Sequence, residues 1–374
     1  MNDQLVKVTF LASAILTIPL GANASSSCVV PPSGMESWWS ADDAFDRARD
    51  IKGQNDGTAW GVEYAAGKVG AYAFSFAGSQ DNYLLVLNDQ ATMEHTSAFT
   101  VDAWVRADTT PGPFRYLVAK GAQACEAASF GLYTGTGGGL QFYIYDGSNY
   151  HMSAPIEPGA VWDGQWHLVA ATYQASDDGN EGASVIRLYL DHTLISETAV
   201  SSKINYDLSI TDLSIGGYLG CSLPFQGDID EVELFHRALA LSEISALYYA
   251  GDAGKCQRKV AIDVMPASTE NKLNLGSAGV IPVVIFSDEG FDATQLDPLT
   301  VELNGAQVKL VGNKLQKPLC HANDVDADGL PDLVCQVYTV DFLLEEGQSE
   351  AILKAQTLGD VWVYGSDAIE VVGQ

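Results

Sequence analysis

The clearest chemistry in this chain lies in an acidic stretch at residues 323–332, which reads NDVDADGLPD. Counting from Asp324, carboxylates occupy positions 1, 3, 5 and 9 and a glycine position 6, as at the start of an EF-hand-type calcium loop. The predicted ligands are Asp324, Asp326, Asp328, the carbonyl of Leu330, and Asp332. The twelfth position, where a bidentate glutamate would complete such a loop, is Cys335. We expect a structural Ca²⁺ here, and the alternative is an acidic turn without metal.

The sequence contains none of the common catalytic motifs that we considered. It has no GxSxG elbow, no HExxH pair and no phosphate-binding loop. Its six histidines are scattered, and His167 and His192 lie beside apolar strand faces, which favours ordinary strand or turn histidines. We therefore predict that the protein is not an enzyme.

Charge excludes one class of partner. The chain has 48 acidic and 19 basic residues and a formal net charge of −29. A field of this sign repels phosphate-rich polymers at long range, so nucleic acid is not an expected partner. A solvated acidic surface accounts for most of the charge, and calcium binding would need only a few of the carboxylates.

The first 24 residues have the layout of a secretory signal. A polar start with Lys7 is followed by an apolar run from Val8 to Leu20 and then by small residues before Ser25. The run is short for a membrane span of ~20 residues, and no second long apolar segment follows. We expect an exported protein, secreted or at the cell surface, without a membrane span.

Export makes disulfides the expected state of the six cysteines. Many pairings are possible, but placement along the chain favours one set. Because no CxxC pair is present, a zinc or thioredoxin-type site has no support. The favoured pairs are Cys28 with Cys256, Cys125 with Cys221, and Cys320 with Cys335.

Alternating apolar and polar residues, separated by short glycine-containing turns, predict many short antiparallel strands. One helix is predicted from near Leu241, with Gly251 as its stop. A short polar bridge at 254–259 divides the chain. We predict an all-β protein with a signal at 1–24, a first domain at 25–257 and a smaller β-sandwich domain at 258–374.

Several segments of the first domain, in this order, resemble the LamG-like, concanavalin A-type jelly roll. They are SWWSADDAFD from Ser37, AYAFSFAGSQDNYLLV from Ala71, AFTVDAWVRA from Ala98, GQWHLVAATY from Gly164, IRLYLD from Ile186, and the closing PFQGDIDEVELFHRALALSEISALYYAGDAGKC from Pro224. The second domain resembles a β-sandwich module appended to secreted bacterial proteins, through IDVMPAS, GVIPVVIFSDEGFDA and GSDAIEVV. The first resemblance implies a jelly-roll sandwich, but a fold by itself does not give an activity.

The resemblance suggests a second calcium site. Jelly rolls of this kind often hold Ca²⁺ where an N-terminal loop meets the last strand, which would join Asp50 and Asp230. The alternative is that each aspartate only fastens its own turn.

The resemblance also suggests a comparison of the stretch DIDEVE at 228–233 with the catalytic strand of a glycosidase, but the two patterns differ. Catalytic strands of concanavalin-like β-glucanases carry two glutamates, whereas the first acid here is Asp228. Glu233 lies five residues on and faces the opposite way unless a bulge intervenes. Hydrolysis is thus the least favoured function.

Polar and aromatic side chains alternate with apolar ones on three strands. In a jelly roll they could line the concave sheet, where rings stack on sugar faces and charged groups bond hydroxyls. The alternative is that the rings merely cover the outer sheet. The candidate ligand-binding residues are Trp104, Tyr143, Tyr145, Tyr150, Arg187 and Tyr189.

Three functions follow, in decreasing order of support. The first is a secreted, non-enzymatic protein that binds a glycan or other extracellular polymer through a lectin-type domain with structural calcium. The second is a structural or adhesion protein that contacts other surface proteins. The third is a polysaccharide hydrolase.

Overall fold

The structure is a computed structural model of the 374-residue chain. It describes residues 28–372 with the exception of 43–46, 53–54, 88–92, 122–126, 177–183, 209–211, 219–220, 222, 267, 269, 275–278, 313–315, 340–341, 343, 345–348 and 360. The predicted signal at 1–24 and Cys125 lie outside the described residues.

Two antiparallel sheets face each other in the first half of the chain. Strands are numbered in chain order. The first sheet comprises β1 (Met35–Trp39), β4 (Glu63–Ala66), β5 (Tyr72–Ala77), β7 (Ala98–Arg106), β12 (His167–Gln174), β13 (Ser184–Leu190), β14 (Thr193–Val200) and β16 (Gln226–Phe235). Its order is β14-β13-β12-β7-β16-β5-β4, with β1 also paired to β16.

The second sheet comprises β2 (Arg47–Ala48), β3 (Gly57–Trp60), β6 (Tyr83–Val86), β8 (Tyr116–Lys120), β9 (Phe130–Tyr133), β10 (Gln141–Tyr145), β11 (Tyr150–Met152) and β15 (Leu213–Ile215). Its order is β11-β10-β9-β8-β15-β6-β3-β2. The alternation of the sequence sets which side chains meet between the sheets. Phe142, Ile144, Val101 and Val105 point into this core.

Two short helices accompany the sheets, α1 (Pro158–Val161) and α2 (Leu241–Ala250). At the start of α2 the carboxylate of Glu243 accepts the backbone N–H of Ala240, and the helix ends at Gly251, whose φ is +54°. The apolar side of α2, with Ile244 and Leu247, packs on the outer face of the first sheet. The predicted helix and its stop are confirmed.

A second set of smaller sheets surrounds its own apolar core from Val260 to Ile369. Its strands are β17 (Gln257–Lys259), β18 (Ile262–Val264), β19 (Lys272–Leu273), β20 (Val280–Ile285), β21 (Glu302–Leu303), β22 (Ala306–Gln307), β23 (Leu310–Val311), β24 (Lys317–Pro318), β25 (Cys320–Asn323), β26 (Asp332–Tyr338), β27 (Glu350–Gln356), β28 (Trp362–Ala368) and β29 (Glu370–Val371). The main sheets run β17-β28-β27-β21-β22 and β18-β20-β26-β25. The predicted all-β class, a jelly roll followed by a smaller β domain, is confirmed.

Disulfides close both parts of the chain. Cys28 bonds to Cys256, which ties together the two ends of the jelly roll. Cys320 bonds to Cys335 directly across the β25–β26 pair. Both pairs are confirmed, and the pairing of Cys221 with Cys125 stays a prediction because Cys125 is outside the described residues.

The two parts also contact each other. Arg49 of the jelly roll forms a 2.6 Å ion pair with Glu350. The ring of Trp362 joins the apolar cluster on the outer face of the first sheet, and the ammonium of Lys52 lies 4.5 Å from its centroid. The second module therefore covers part of that face.

Candidate functional site: an aromatic face on the second sheet

The six candidate ligand-binding residues lie on opposite sheets. Tyr143 and Tyr145 belong to β10 and Tyr150 to β11, whereas Trp104 is on β7 and Tyr189 on β13. Each outward-pointing side chain alternates with core residues, as predicted. The expectation that they line one sheet together is wrong, because strands close in sequence pair into different layers of the sandwich.

The candidate residues on the first sheet are covered by packing or engaged by neighbouring side chains. Trp104 is 5% exposed and stacks on Tyr248 of α2, with ring centroids 5.8 Å apart. Tyr189 is 3% exposed in the same apolar cluster. Arg187 is half-buried and donates to Glu197 on the adjacent strand at 2.7 Å. Helix α2 therefore uses these rings as packing surface, and a polymer has little access to them.

The other half belongs to a continuous aromatic surface on the outer side of the second sheet. We call it the tyrosine face; it consists of Tyr116, Tyr133, Tyr143, Tyr145, Tyr150 and Tyr218. Tyr133 stands edge-on to Tyr143 with centroids 5.2 Å apart, and Tyr145 lies 4.9 Å from Tyr150. Edge-to-face pairs of this kind hold one another in place.

Local sequence explains how the rings come together. In β9 the order Phe130, Gly131, Leu132, Tyr133 places two apolar side chains in the core and leaves a glycine and a tyrosine outside. A Cβ on Gly131 would come within 2.6 Å of the Tyr143 ring, so the missing side chain gives that ring its space. Cross-strand pairing of Gly131 with Tyr143 completes the arrangement.

Three side chains open the tyrosine face to solvent. Tyr150 is 46% exposed, Met152 45% and Phe114 42%. Phe114 stacks on Tyr133 at 6.5 Å and has a φ of +57°, which is rare and costly for a bulky residue. Strained backbone that holds an exposed ring in place is a common feature of binding sites.

Polar groups lie at the rim of this face beside Tyr150. The carboxylate of Asp146 contacts Nε2 of His151 at 2.8 Å and accepts the backbone N–H groups of Ser148 and Asn149. The hydrogen bond from His151 holds the pKa of Asp146 well below its usual range. With its side chain only 7% exposed, Asp146 fastens the turn between β10 and β11 that precedes Tyr150.

Burial keeps two phenol groups of this face neutral. It raises the pKa of Tyr133 to about 12 and also raises the pKa of Tyr143 well above its ordinary value. The hydroxyl of Tyr133 donates to Gln141 at 3.1 Å. Both rings are buried, Tyr133 with 4% and Tyr143 with 3% of its surface exposed, so they support the exposed rings of the face and do not contact a ligand themselves.

The predicted calcium loop joins β25 to β26. Carboxylate oxygens of Asp324, Asp326 and Asp332 lie within 4.8 Å of one another, and this is the one such acidic group among the described residues. Asp328 instead accepts the backbone N–H of Leu330 at 2.8 Å. The loop is shaped by left-handed residues at Ala327 and Gly329, as a tight turn around a small centre requires.

Asp50 and Asp230, the predicted ligands of the second calcium site, both accept hydrogen bonds from backbone N–H groups. Asp50 is buried and accepts N–H groups of Trp38 at 2.8 Å, Lys52 at 3.0 Å and Asn55 at 3.2 Å. Asp230 accepts those of Lys68 and Val69 at 2.8 and 3.0 Å. Asp50 thus fastens its own loop, whereas Asp230 fastens the distant loop at Lys68 and Val69, and a calcium shared by the two stays a prediction.

The hydrolase candidates do not share a cleft. Glu233 is 2% exposed and contacts Lys255, so a substrate cannot reach it. Asp228 pairs with Arg106 near the end of the sheet. Glu231, between them, has a φ of +53° in a bulge of β16, so a bulge does intervene, but it turns Glu233 toward a buried cluster.

Sequence reasoning missed Phe114, Tyr116, Tyr133 and Tyr218. The alternation in FGLY at 130–133 signals an outward tyrosine, and that pattern alone could have identified Tyr133. The other three depend on which strands and loops become neighbours, which the sequence does not state.

The geometry defines a two-layer antiparallel sandwich with an aromatic outer face and a capping helix. Residues 77–245 match the family model of the concanavalin A-like lectin/glucanases superfamily. The LamG-like resemblance is thereby confirmed for this part of the chain. A search of the curated proteins finds no match.

Solved structures give low-identity matches. Domain 4 of AbnA, a GH43 extracellular arabinanase from Geobacillus stearothermophilus solved with arabinotriose, is 17% identical, with 56% of this chain and 96% of that chain covered and a TM-score of 0.44. The Trypanosoma rangeli sialidase in complex with sialic acid is 16% identical (60% and 36% covered, TM-score 0.44), so this chain spans about a third of it. The binding domain of Paraclostridial Mosquitocidal Protein 1 is 11% identical (90% and 87% covered, TM-score 0.44). Likeness at this level gives no information on ligands.

Proposed function

We propose that this chain is an exported, non-enzymatic protein that binds a glycan or another extracellular polymer through the tyrosine face of its jelly roll. The observation that carries the proposal is the pair of exposed rings, Tyr150 and Phe114, each packed against a buried tyrosine of this face. Flat apolar rings with hydroxyl groups at their edges match the two kinds of surface that a sugar presents.

Other features support the non-enzymatic part of the proposal. The two acids that were compared with a glycosidase pair, Asp228 and Glu233, are an ion-paired aspartate and a buried glutamate. A retaining glycosidase needs two carboxyl groups about 5 Å apart on either side of one sugar bond. Asp228 and Glu233 cannot act in this way while Glu233 is closed off by Lys255.

Export is supported by disulfide chemistry. The two disulfides of the described residues are typical of oxidising compartments. Among these residues no helix is both long and apolar enough to cross a membrane.

Binding is tested by affinity electrophoresis in gels that contain arabinan, galactan, β-glucan or chitin derivatives. Tyr150→Ala and Phe114→Ala should each weaken retention by one polymer class roughly tenfold, since about 1.4 kcal/mol of stacking corresponds to that factor. Tyr249→Ala is the matched control, because this tyrosine is more exposed but lies on α2, against the other sheet. Equal losses in all three variants would contradict a role of the tyrosine face.

Two outcomes would favour the other functions. Release of reducing sugars by the wild type, lost in Glu233→Gln, would make the protein a hydrolase. If the protein binds none of the polysaccharides but binds surface proteins, the structural or adhesion role would be favoured.

We also propose a structural Ca²⁺ in the loop between β25 and β26. Asp324, Asp326 and Asp332 present hard oxygen donors around one centre, with the carbonyl of Leu330 as a further donor. Both oxygens of Asp332 already hold backbone amides, those of Ser287 at 2.9 Å and Val325 at 2.8 Å, which orients this ligand. An ion here would neutralise carboxylates that otherwise repel one another.

Thermal unfolding in 1 mM Ca²⁺ and in EDTA tests this site. A ligand at about 100 times its Kd stabilises the folded state by roughly 2.7 kcal/mol, so calcium should raise the Tm by several degrees. Asp326→Asn should abolish the rise, whereas Asp297→Asn, in a turn elsewhere, should preserve it. A Tm that is the same in calcium and in EDTA would refute the site.

A further inference from the structure

A separate cleft lies at one end of the first sheet, where β7 ends and β16 begins. It has a volume of about 340 Å³. Its polar lining includes Arg106, Asp108, Gln226 and Asp228, and Phe76 contributes an apolar wall. The size suits one sugar unit more than a long chain, and the site is distinct from the tyrosine face on the other sheet.

An ion pair in this cleft leaves part of its hydrogen-bonding capacity free. Nε and Nη2 of Arg106 both donate to the same oxygen, Oδ2 of Asp228, at 3.0 and 2.8 Å. Within the described part of the chain, Nη1 of Arg106 and Oδ1 of Asp228 have no hydrogen-bond partner. The two side chains are 28% and 17% exposed, so both groups can be reached by a ligand.

The pair is also held in position. The guanidinium of Arg106 lies 4.5 Å from the ring centroid of Trp166, which covers one of its faces. Asp228 and Arg106 are direct cross-strand partners, so the backbone fixes their separation. A donor and an acceptor that are set side by side before binding lose little entropy when a ligand arrives.

The charge of the lining selects among ligands. One guanidinium is opposed by the carboxylates of Asp228 and Asp108, and the whole chain has a net charge of −29. An anionic sugar that accepted from the free Nη1 of Arg106 would bring its own carboxylate close to those of Asp228 and Asp108, in a strongly negative field. A neutral ligand only needs to complete the open hydrogen bonds.

We propose that this cleft binds a vicinal diol of a neutral sugar, with Nη1 of Arg106 donating to one hydroxyl and Oδ1 of Asp228 accepting from its neighbour. This inference rests on the proposed carbohydrate function and names the class of sugar that the protein takes. Phe76 forms an apolar wall of the cleft, and Gln226 lines its exposed side. Residues 107–109 line the cleft as well, and the same segment continues along the chain to Phe114.

The test is an NMR titration of the ¹⁵N-labelled protein with the neutral trisaccharides of arabinose, galactose and glucose, and with tri-galacturonate. At least one neutral trisaccharide should shift the Nε–H signal of Arg106 and the indole signal of Trp166, and tri-galacturonate should not. Asp228→Asn should weaken this binding at least tenfold, because its amide cannot both face the guanidinium and accept from the sugar. Gln226→Trp, at an exposed position of the lining, should obstruct the cleft while both members of the ion pair are retained, and should have the same effect.

The outcomes separate this inference from the function on which it rests. One outcome is that a neutral sugar binds but leaves the signals of Arg106 and Trp166 unshifted, and that both variants bind it as the wild type does. This outcome would refute binding in the cleft, although the protein would still bind sugar. Binding of tri-galacturonate at equal strength would refute the selection of neutral sugars. Absence of all sugar binding in the wild type would remove both proposals.

Discussion

Lys255 is a buried cation that faces several buried acids on the outer side of the first sheet. Its ammonium contacts Glu231 and Glu233 and lies 4.3 Å from the centre of the Trp38 ring. Asp102, the cross-strand partner of Glu233, is also buried. Because the acids outnumber the lysine, they cannot all be ionised without a large cost in free energy.

The pKa of Glu233 expresses this cost. Burial raises it from 4.5 to about 7, against the attraction of Lys255. Since the folded state prefers the protonated acid, this contribution to stability is complete below about pH 4.5 and is lost as the pH rises through 7.

We therefore expect Glu233→Gln, which imitates the protonated acid, to lose less stability than the wild type between pH 5 and pH 8. Each pKa unit corresponds to about 1.4 kcal/mol, so the difference should be on the order of 1 kcal/mol or more. Urea unfolding at the two pH values measures it. Glu197→Gln, at an exposed acid, is the control and should follow the wild type; a Glu233→Gln variant with the same pH dependence as the wild type would refute the argument.

At the scale of single residues, the sequence identifies a site when its residues are close together in the chain, and misses it when they come from distant segments. The aspartates of the calcium loop could be found because their spacing is local. The cluster around Lys255 could not, because it joins β1, β7, β16 and the segment after α2. The same holds for the open ion pair of Arg106 and Asp228, which exists only through strand pairing.

Strand β9 shows how one element shapes the binding surface. Gly131 faces outward between Tyr143 and Tyr116, where a Cβ would approach ring atoms to 2.6 and 2.9 Å. Both rings are buried by their neighbours and cannot move away freely. The tyrosine face is therefore built around the absence of one side chain.

Gly131→Ala should destabilise the protein by about 1–3 kcal/mol, the usual cost of overpacking. It should also weaken polymer binding, because displaced rings no longer support Tyr150. Chemical denaturation and affinity electrophoresis measure the two effects. Gly159→Ala is the control, since a Cβ there meets nothing within 4 Å; unchanged stability of Gly131→Ala would show that the rings are loosely packed.

The elements themselves were largely predictable. Strands such as β7, β10 and β13 follow from period-two alternation, and α2 follows from apolar spacing and its terminal glycine. What alternation cannot give is the layer to which each strand belongs. For that reason the sequence placed Trp104 and Tyr189 with Tyr145, whereas α2 covers the first two and leaves the last on the other sheet.

The arrangement of the two modules leaves the tyrosine face uncovered. The second module contacts the jelly roll through Glu350 and Trp362 and lies on the outer face of the first sheet, together with α2. The outer face of the second sheet keeps its exposed rings at Phe114 and Tyr150. The second module and α2 thus lie on one side of the sandwich, and the exposed rings of the tyrosine face lie on the other.

The most direct measurement is an NMR titration of the protein, labelled with ¹³C in its tyrosine rings, with the polymer fragment that affinity electrophoresis identifies. Our account predicts that ring signals of Tyr133, Tyr145 and Tyr150 shift with one common Kd, while those of Tyr249 on α2 stay in place. A fragment that binds and moves only signals on the first sheet would contradict the central claim that the tyrosine face is the binding surface.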